Sequence, residues 1–205
     1  MAQTKESQTA VTPTSSLYLL EKGNQRFLDG ERLKRNLHEQ IKQTSTGQYP
    51  YAVVLSCIDS RIPTEVVLDQ GIGDIFNVRI AGNFVNEDIL GSMEFACKVA
   101  GAKLIVVMGH TSCGAVKGAC DQVELGNLTG MLQKVKPAVD AIEAEIRNSS
   151  NAEFVQQVAD KNVELTIENI QTGSPVLKEM LDEGSIGIVG AMYSVENGKV
   201  EFGKI

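Results

Sequence analysis

The sequence predicts an α/β fold in which a mostly parallel central sheet is flanked by helices and ends in an antiparallel C-terminal edge strand. Short aliphatic runs alternate with longer segments of helical periodicity, as in chains whose parallel strands are joined by helices. The runs are continuously apolar, which is typical of strands buried on both faces. Asn197-Gly198, a favoured two-residue hairpin turn, lies within the last segment, residues 195–202, and predicts the antiparallel edge strand.

The individual elements follow from these patterns. Four β-branched runs bounded by polar turns are predicted as strands: residues 51–56 (YAVVLS), 75–81 (IFNVRIA), 104–108 (LIVVM) and 186–193 (IGIVGAMY). Helical patterns cover residues 16–28, 33–44, 88–100, 128–147, 152–171 and 175–183. Gly101 and Gly184 follow two of these helices at the position where glycine commonly ends a helix.

Length and composition indicate one domain, residues 16–205, with an N-terminal helical arm. Residues 1–15 are polar and rich in Ser and Thr, so we expect a disordered tail there. The net charge of −7 argues against a nucleic-acid partner, which would need a basic face. No run approaches the roughly 20 apolar residues of a membrane span, and the N-terminus lacks the apolar core of a secretory signal. We therefore expect a cytoplasmic protein that does not bind membranes.

Chemically active side chains follow two of the predicted strands. The segment 57–61 (CIDSR) comes directly after the first strand, and 109–114 (GHTSCG) follows the third. Because the carboxyl ends of parallel strands meet at one edge of the sheet, we expect Cys57, His110 and Cys113 to converge there. Two thiolates and an imidazole favour zinc, and a Cys₂His set leaves a fourth position open, as in catalytic zinc sites.

Spacing alone leaves alternatives open. A single Cys after a strand is usually a core residue, and HxxC is a weak pattern by itself. In an oxidising compartment Cys57 and Cys113 could form a disulfide, which would require a metal-free protein. The other two cysteines, Cys97 and Cys120, are predicted to be core residues, and Cys120 lies two helical turns from Cys113, too far along to be a fourth ligand.

Three separated motifs in register carry a family resemblance. CIDSR at 57–61, GDIFNVRIAGN at 73–83 and GHTSCGAVKG at 109–118 resemble the signature series of the β-class carbonic anhydrases. The resemblance implies reversible hydration of carbon dioxide to bicarbonate and a proton, with one Zn²⁺ per chain held by Cys57, His110 and Cys113. It implies a zinc-bound hydroxide as the nucleophile, made available by the acidifying effect of zinc on water, for which carbonic anhydrase is the standard example.

The resemblance also assigns Asp59 and Arg61 as a catalytic dyad beside the metal. We expect Asp59 to accept a hydrogen bond from the hydroxide and to orient it, while Arg61 holds Asp59 by a bidentate ion pair. In resting forms of the family the carboxylate takes the fourth metal position instead. Without the adjacent Cys57, Asp-x-Arg would be read as a surface pair worth at most about 1 kcal/mol.

Substrate contacts are predicted at four positions. Gln48, Phe76 and Ala81 match positions that line the family's pocket, and Gly82 is included because free backbone N–H groups after the second strand would help orient the product. Phe95 stands where plant-type members have a pocket Tyr. Val54 replaces the Trp with which a subgroup binds regulatory bicarbonate, so that form of regulation is not expected.

Resembling proteins are homodimers, often paired into tetramers, with N-terminal helices embracing the neighbour. We therefore expect a homodimer, or a dimer of dimers, in which Gln48 and Phe76 face the zinc of the partner. Two other functions compete: hydrolysis of carbonyl sulfide or carbon disulfide at the same zinc, and a non-enzymatic zinc-stabilised structural or bicarbonate-sensing role. The Asp59–Arg61 dyad argues against the second, because a structural zinc prefers a closed set of four protein ligands.

Overall fold

The computed structural model describes residues 2–205 and contains a five-stranded sheet of order β2-β1-β3-β4-β5. The strands are β1 (Ala52–Ser56), β2 (Ile75–Arg79), β3 (Leu104–His110), β4 (Gly187–Tyr193) and β5 (Val200–Phe202). The first four strands pair in parallel, and β5 pairs with β4 in the antiparallel sense. This arrangement confirms the predicted fold class.

Helices cover both faces of this sheet. They are α1 (Lys5–Ala10), α2 (Pro13–Leu28), α3 (Leu37–Thr44), α4 (Thr64–Val67), α5 (Glu87–Glu94), α6 (Gly114–Cys120), α7 (Gly126–Leu132), α8 (Lys136–Asp140), α9 (Ala152–Gly173) and α10 (Pro175–Asp182), and a π-helical turn, Phe95–Val99, continues α5. Among residues 2–205, none of the helices has both the length and the apolar character needed to cross a bilayer.

Residues 5–10 and 13–15 are helical, where a disordered tail was expected over residues 1–15; residue 1 lies outside the described residues. The Ser and Thr residues that suggested disorder cap two helices: Thr4 forms a capping box with Ser7 at α1, and Thr12 forms one with Ser15 at α2. Gln8 of α1 is buried, and its amide donates to the carbonyl oxygens of Pro50 (2.7 Å) and Ala100 (2.8 Å). Capping and this buried anchor give the segment contacts that its composition does not reveal.

The single helix predicted over residues 128–147 is wrong in its length. The structure has two short helices there, α7 and α8, and residues 141–151 are irregular. Pro137 explains the break, because it has no N–H to donate to the carbonyl of Gln133 and therefore cannot continue α7. The apolar stripe that suggested one helix is still buried, with Leu132, Val135 and Val139 in the core.

The C-terminal turn also differs from the expected two-residue hairpin. The N–H of Ser194 donates to the carbonyl of Lys199 at 2.8 Å, so four residues, 195–198, form the loop between β4 and β5. Gly198 adopts φ +80° within it, a conformation that glycine takes without strain. The antiparallel pairing that the turn was expected to produce is present.

Alternate residues of the strands enter two separate cores. In β1, Val54 packs into one core together with α2, α6 and the first half of α9, while Val53 and Leu55 pack into the other with α5 and α10. All residues of β1 and β3 are buried, as expected for central parallel strands. The two cores hold β1 and β3 rigidly, so the loops at their carboxyl ends start from fixed positions.

The N-terminal arm, which comprises α2 and α3, is tied to the body of the domain through Asp69, which follows α4. The carboxylate of Asp69 is fully buried and accepts hydrogen bonds from Arg26, at 2.6 Å, and from Arg35. Burial by itself would raise the pKa of Asp69, but the hydrogen bonds from Arg26 and Arg35 outweigh it and lower that pKa. The ion pairs therefore join the arm to the short helix that follows the loop at residues 57–61.

Candidate metal centre

The candidate site lies at the switch point of the sheet. From β1 the chain crosses to β2 on one side, and from β2 it crosses back to β3 on the other side of β1. The helical connections therefore diverge between the carboxyl ends of β1 and β3, which leaves a crevice where open α/β sheets bind ligands. Cys57 follows β1 directly, and His110 is the last residue of β3.

Three buried side chains converge in this crevice. Donor atoms of Cys57, His110 and Cys113 all lie within 4.8 Å of one another, and the two sulfur atoms are 4.0 Å apart. Cys57 and Cys113 are free thiols, so the alternative disulfide between them is not formed. The predicted convergence of the three residues is present, and the group is able to hold a metal ion.

The two thiols titrate as a pair. The hydrogen bond from Cys113 lowers the pKa of Cys57, and a hydrogen bond from the backbone of Gly82 acts in the same direction. The same thiol–thiol contact, together with burial, raises the pKa of Cys113. Each thiol thus affects the ionisation of the other, and a cation bound between them would stabilise both thiolates.

His110 is oriented by its own loop. Its Nδ1 lies 2.9 Å from the carbonyl oxygen of Thr111, and a carbonyl can only accept, so Nδ1 carries the proton. Nε2 then presents a lone pair, and this buried atom has no hydrogen-bond partner among residues 2–205. A buried acceptor without a partner is costly in a folded protein, so the free Nε2 beside two thiols is accounted for by a metal position.

A carboxylate–guanidinium pair adjoins the three donors. Asp59 accepts hydrogen bonds from Nε of Arg61 at 2.9 Å and from Nη2 at 2.7 Å, and its Oδ1 also accepts from the backbone N–H of Arg61 at 2.9 Å. These bonds lower the pKa of Asp59 well below its usual range, with the side-chain bond of Arg61 as the largest cause. The Asp59 carboxylate is thus ionised, and its Oδ2 is 3.9 Å from Nε2 of His110.

Gly82 is the member of the predicted substrate set that contacts one of the three donors. Its N–H donates to Sγ of Cys57 at 3.5 Å, and its carbonyl accepts from Asn162 of α9 at 2.8 Å. It adopts φ +81°, and a Cβ there would lie 3.1 Å from Val135, so both the backbone and the space favour glycine. Ala81, the residue before it, is half-buried beside this contact.

Gln48 and Phe76 lie away from the donors of their own chain. Gln48 is exposed and precedes β1, at the opposite end of the sheet from Cys57. Phe76 pairs with Val53, so it lies about 10 Å along β2 from Arg79, the residue that ends this strand. Its ring packs edge-on against Phe95, with the ring centroids 6.3 Å apart.

Two residues at the site were given no role in the sequence analysis, although Arg79 lies within the motif at residues 73–83. Arg79, which ends β2, and Tyr193, which ends β4, both donate to backbone carbonyls of residues 57–61. An Arg and a Tyr at strand ends are common surface residues, and only the register of the sheet brings them to this loop. Cys97 and Cys120 are buried in the cores, as expected. Burial raises the pKa of Cys97 to about 12 and that of Cys120 to about 11.

Comparison with known proteins defines the class. A family model described as carbonic anhydrase matches residues 52–200. The chain is similar to a carbonic anhydrase of Mycolicibacterium smegmatis, with 34% identity over 195 residues and 92% of each chain covered. It is also similar to carbonic anhydrase 2 of Mycobacterium tuberculosis, with 33% identity over 193 residues and 91% of each covered.

A solved structure gives the same answer at the level of the fold. One of the tetrameric β-carbonic anhydrases of Sordaria macrospora superimposes with a TM-score of 0.70 at 26% identity, covering 92% of this chain and 96% of the other. The chain therefore belongs to the carbonic anhydrase family, and within it to the β class, whose members are lyases.

Proposed function

We propose that this protein catalyses the zinc-dependent, reversible hydration of carbon dioxide to bicarbonate and a proton. Family membership supports a carbonic anhydrase activity in general. The observation that carries the specific proposal is the juxtaposition of the donors of Cys57, His110 and Cys113 with the ion pair of Asp59 and Arg61. Three protein donors with a carboxylate beside them are the arrangement of a catalytic rather than a structural zinc site.

The donor set fits zinc. Two sulfur atoms that each lie about 2.3 Å from a tetrahedral zinc ion are about 3.8 Å apart, and the sulfur atoms of Cys57 and Cys113 are separated by 4.0 Å. The imidazole is already in the tautomer that a metal needs, with Nδ1 bonded to the Thr111 carbonyl. Soft thiolates also disfavour magnesium and calcium.

Zinc bound to these donors would act as a Lewis acid that makes water nucleophilic near neutral pH, an effect for which carbonic anhydrase is the standard example. The chain's own groups then orient the reactants. Ionised Asp59 accepts a hydrogen bond from the attacking oxygen, and Arg61 keeps that carboxylate in place. The N–H of Gly82 stabilises the thiolate of Cys57, which keeps this donor charged.

The two thiols of the proposed zinc site also indicate the cellular compartment of the protein. Cys57 and Cys113 must stay reduced to bind a metal, and their sulfur atoms are close enough to be oxidised together. A reducing compartment prevents this, so we place the protein in the cytoplasm.

We further propose that the active unit is a homodimer, or a dimer of dimers. In each dimer, Gln48 and Phe76 face the metal site of the partner. Strand β2 is an edge strand, and Phe95 beside it is 50% exposed. The N-terminal arm likewise exposes apolar side chains, Tyr18, Leu37 and Ile41 among them. Both apolar surfaces fit burial against a second copy of the chain.

Mixed dimers test the shared site. A chain carrying Gln48→Ala with intact zinc donors is paired with a chain carrying Cys57→Ala and an intact Gln48. If Gln48 acts across the interface, the single zinc in the mixed dimer keeps its Gln48 and retains about half of the wild-type activity. If Gln48 acts within its own chain, that zinc is impaired, and the mixed dimer is no more active than the Gln48→Ala homodimer.

Stopped-flow assay of CO₂ hydration by the zinc-loaded protein, between about pH 6.5 and 9, tests the reaction itself. We expect rapid hydration that is lost when the metal is removed. Carbonyl sulfide and carbon disulfide are assayed on the same preparation, because they would use the same zinc and carboxylate. Hydrolysis of these sulfur compounds without CO₂ hydration would replace our proposal with the sulfur-substrate enzyme, and no turnover of any substrate would favour the structural or sensing role.

A further inference from the structure

The backbone of the loop at residues 57–61 is held from two sides by side chains of other strands. Arg79 of β2 donates to the carbonyl oxygens of Cys57 and Asp59, and Tyr193 of β4 donates to the carbonyl oxygen of Arg61. Three of the five carbonyl groups in this loop are therefore fixed by side chains from outside it. The loop carries one metal donor and both members of the ion pair.

Arg79 makes its two contacts through a rigid fork. Its Nε lies 2.9 Å from the carbonyl oxygen of Cys57, and its Nη2 lies 2.7 Å from that of Asp59. Arg79 pairs with Ser56 in the sheet, so its backbone is fixed beside the point where the loop leaves β1. The planar guanidinium sets the spacing and direction of both carbonyls, which a lysine, with a single ammonium group, cannot do. Ile58, between them, projects outward and is 60% exposed.

Tyr193 links the loop to the other half of the site. It ends β4 and pairs with His110 in the sheet. Its hydroxyl donates to the carbonyl of Arg61 at 3.2 Å, and its own carbonyl accepts from the N–H of Thr111 at 2.9 Å. Tyr193 thus joins the loop that carries Arg61 to the loop that follows His110.

We propose that Arg79 and Tyr193 are positioning residues that hold Asp59 in place relative to the metal donors, an inference that rests on the proposed function. Asp59 lies only 3.9 Å from Nε2 of His110, so a small movement of the loop changes which groups its oxygens meet. A displacement of about 1 Å at a reacting group can cost about 100-fold in rate. Arg61 belongs to the same loop and is bonded to the opposite loop through a longer contact, from its Nη2 to the carbonyl oxygen of Ser112 at 3.3 Å. The bonds from Arg79 and Tyr193 act on the loop backbone itself and therefore add to this support.

Single substitutions give the first test. Arg79→Met and Tyr193→Phe should lower kcat for CO₂ hydration by about 10-fold or more, the usual range for groups that orient a metal site, and should change KM less than kcat. Arg79→Lys should recover only part of the loss. The matched controls are Arg147→Met, which removes a guanidinium bonded to the carbonyl of Val139 at 2.8 Å, and Tyr51→Phe, which removes a hydroxyl bonded to Gln70 at 2.6 Å.

A double-mutant cycle separates positioning from general damage. In an Asp59→Asn background the Arg79→Met change should cost less than about twofold in kcat, because the group through which Arg79 acts has already been disabled. An undiminished effect in that background would overturn the proposal. Should Arg79→Met fail to fold, Tyr193→Phe in the same cycle gives the same comparison with the loss of one hydroxyl.

A measurement on the cobalt-substituted protein does not depend on activity. The visible spectrum of Co²⁺ reports the ligands and geometry around the metal, so Arg79→Met should alter it and Arg147→Met should leave it unchanged.

Hydrogen exchange over residues 57–62 should become faster in Arg79→Met by at least about fivefold, since a local opening is made easier. If neither the spectrum nor the exchange rate changed, Arg79 would not be a positioning residue. If the wild-type protein does not hydrate CO₂, the proposed function fails, and these two readouts still decide the positioning role.

Discussion

The Oδ2 atom of Asp59 lies 3.9 Å from Nε2 of His110, although both oxygens of that carboxylate are hydrogen-bonded to Arg61. The carboxylate is thus beside the three candidate metal donors, and the ion pair turns it towards Arg61. Removing the ion pair would leave it free to approach a metal bound to these donors. This relationship makes Asp59 and Arg61 separable in experiments, because one provides the acceptor and the other its position.

Replacing Asp59 with alanine should reduce kcat/KM for CO₂ hydration by at least about 100-fold, the usual contribution of a positioned proton acceptor. The zinc content should remain near one per chain, because the three donors are untouched. Zinc analysis of the purified variant beside its stopped-flow rate checks both statements. Asp140→Ala is the matched control, since Asp140 also pairs with a cation, Lys136, but on the exposed surface of α8. Equal activity of the two variants would remove Asp59 from the mechanism.

Arg61→Ala should also reduce the rate, and the reason is position rather than charge. Arg61 lowers the pKa of Asp59, so removing it lets that pKa rise towards the ordinary value of about 4. Asp59 stays ionised at neutral pH either way, and it would lose charge only as the pH falls through its pKa. The activity ratio of variant to wild type, measured from about pH 6.5 to 9, should therefore be low and flat. Recovery of activity at the alkaline end would show that protonation of Asp59 causes the loss.

Removing a sulfur donor should abolish metal binding. Cys57→Ala leaves two protein donors, and the zinc content should fall from about one per chain to near zero in a protein dialysed against a chelator. Cys120→Ala is the control, because Cys120 is also buried but lies in the core at the end of α6. Retention of stoichiometric zinc by Cys57→Ala after dialysis would contradict the ligand assignment.

The buried ion pairs of Asp69 should be important for stability. Asp69→Asn leaves Arg26 and Arg35 without their anion and should lower the free energy of unfolding by about 3 kcal/mol, the lower end for a broken buried pair, because both arginines are partly exposed. The folded-state pKa of Asp69 is lowered, so its contribution is complete above the unfolded pKa of about 4 and disappears as the pH falls through the folded pKa. Urea denaturation should show a constant difference from about pH 6 to 8 that shrinks below about pH 4.

Lys136→Ala, which breaks an exposed pair with Asp140, is the control for this measurement and should cost less than about 1 kcal/mol. A difference between wild type and Asp69→Asn that is no larger than for this surface pair would show that Asp69 does not anchor the N-terminal arm.

The fold class and the convergence of Cys57, His110 and Cys113 could be predicted from the sequence because local signals specify them. Continuous β-branched runs form buried parallel strands whatever their partners, and the residues that follow such strands must share one edge of the sheet. Cys57, His110 and Cys113 were placed together by this argument, and the structure brings their donor atoms within 4.8 Å.

Other features escaped prediction because their signals are ambiguous or non-local. The Ser and Thr residues near the N-terminus suited a disordered tail as well as the helix caps that they form. Pro137 signals a break in the helix, but the apolar stripe that continues past it predicted a single helix. The anchoring of Gln8 depends on carbonyl groups 42 and 92 residues away in the chain, which no local pattern reveals.

Patterns in the sequence were sufficient to predict the layers of the fold, the strand ends at which Cys57 and His110 lie, and the residue types available for a metal. Hydrophobic periodicity and donor chemistry carry this information, since both are properties of neighbouring residues. Only the tertiary structure decided that Arg79 and Tyr193 hold the loop beneath Asp59, and that Gln48 lies at the far end of the sheet from its own metal donors. These relations depend on strand order and register. Both arise when distant segments pack together, so the residues of one segment cannot predict them.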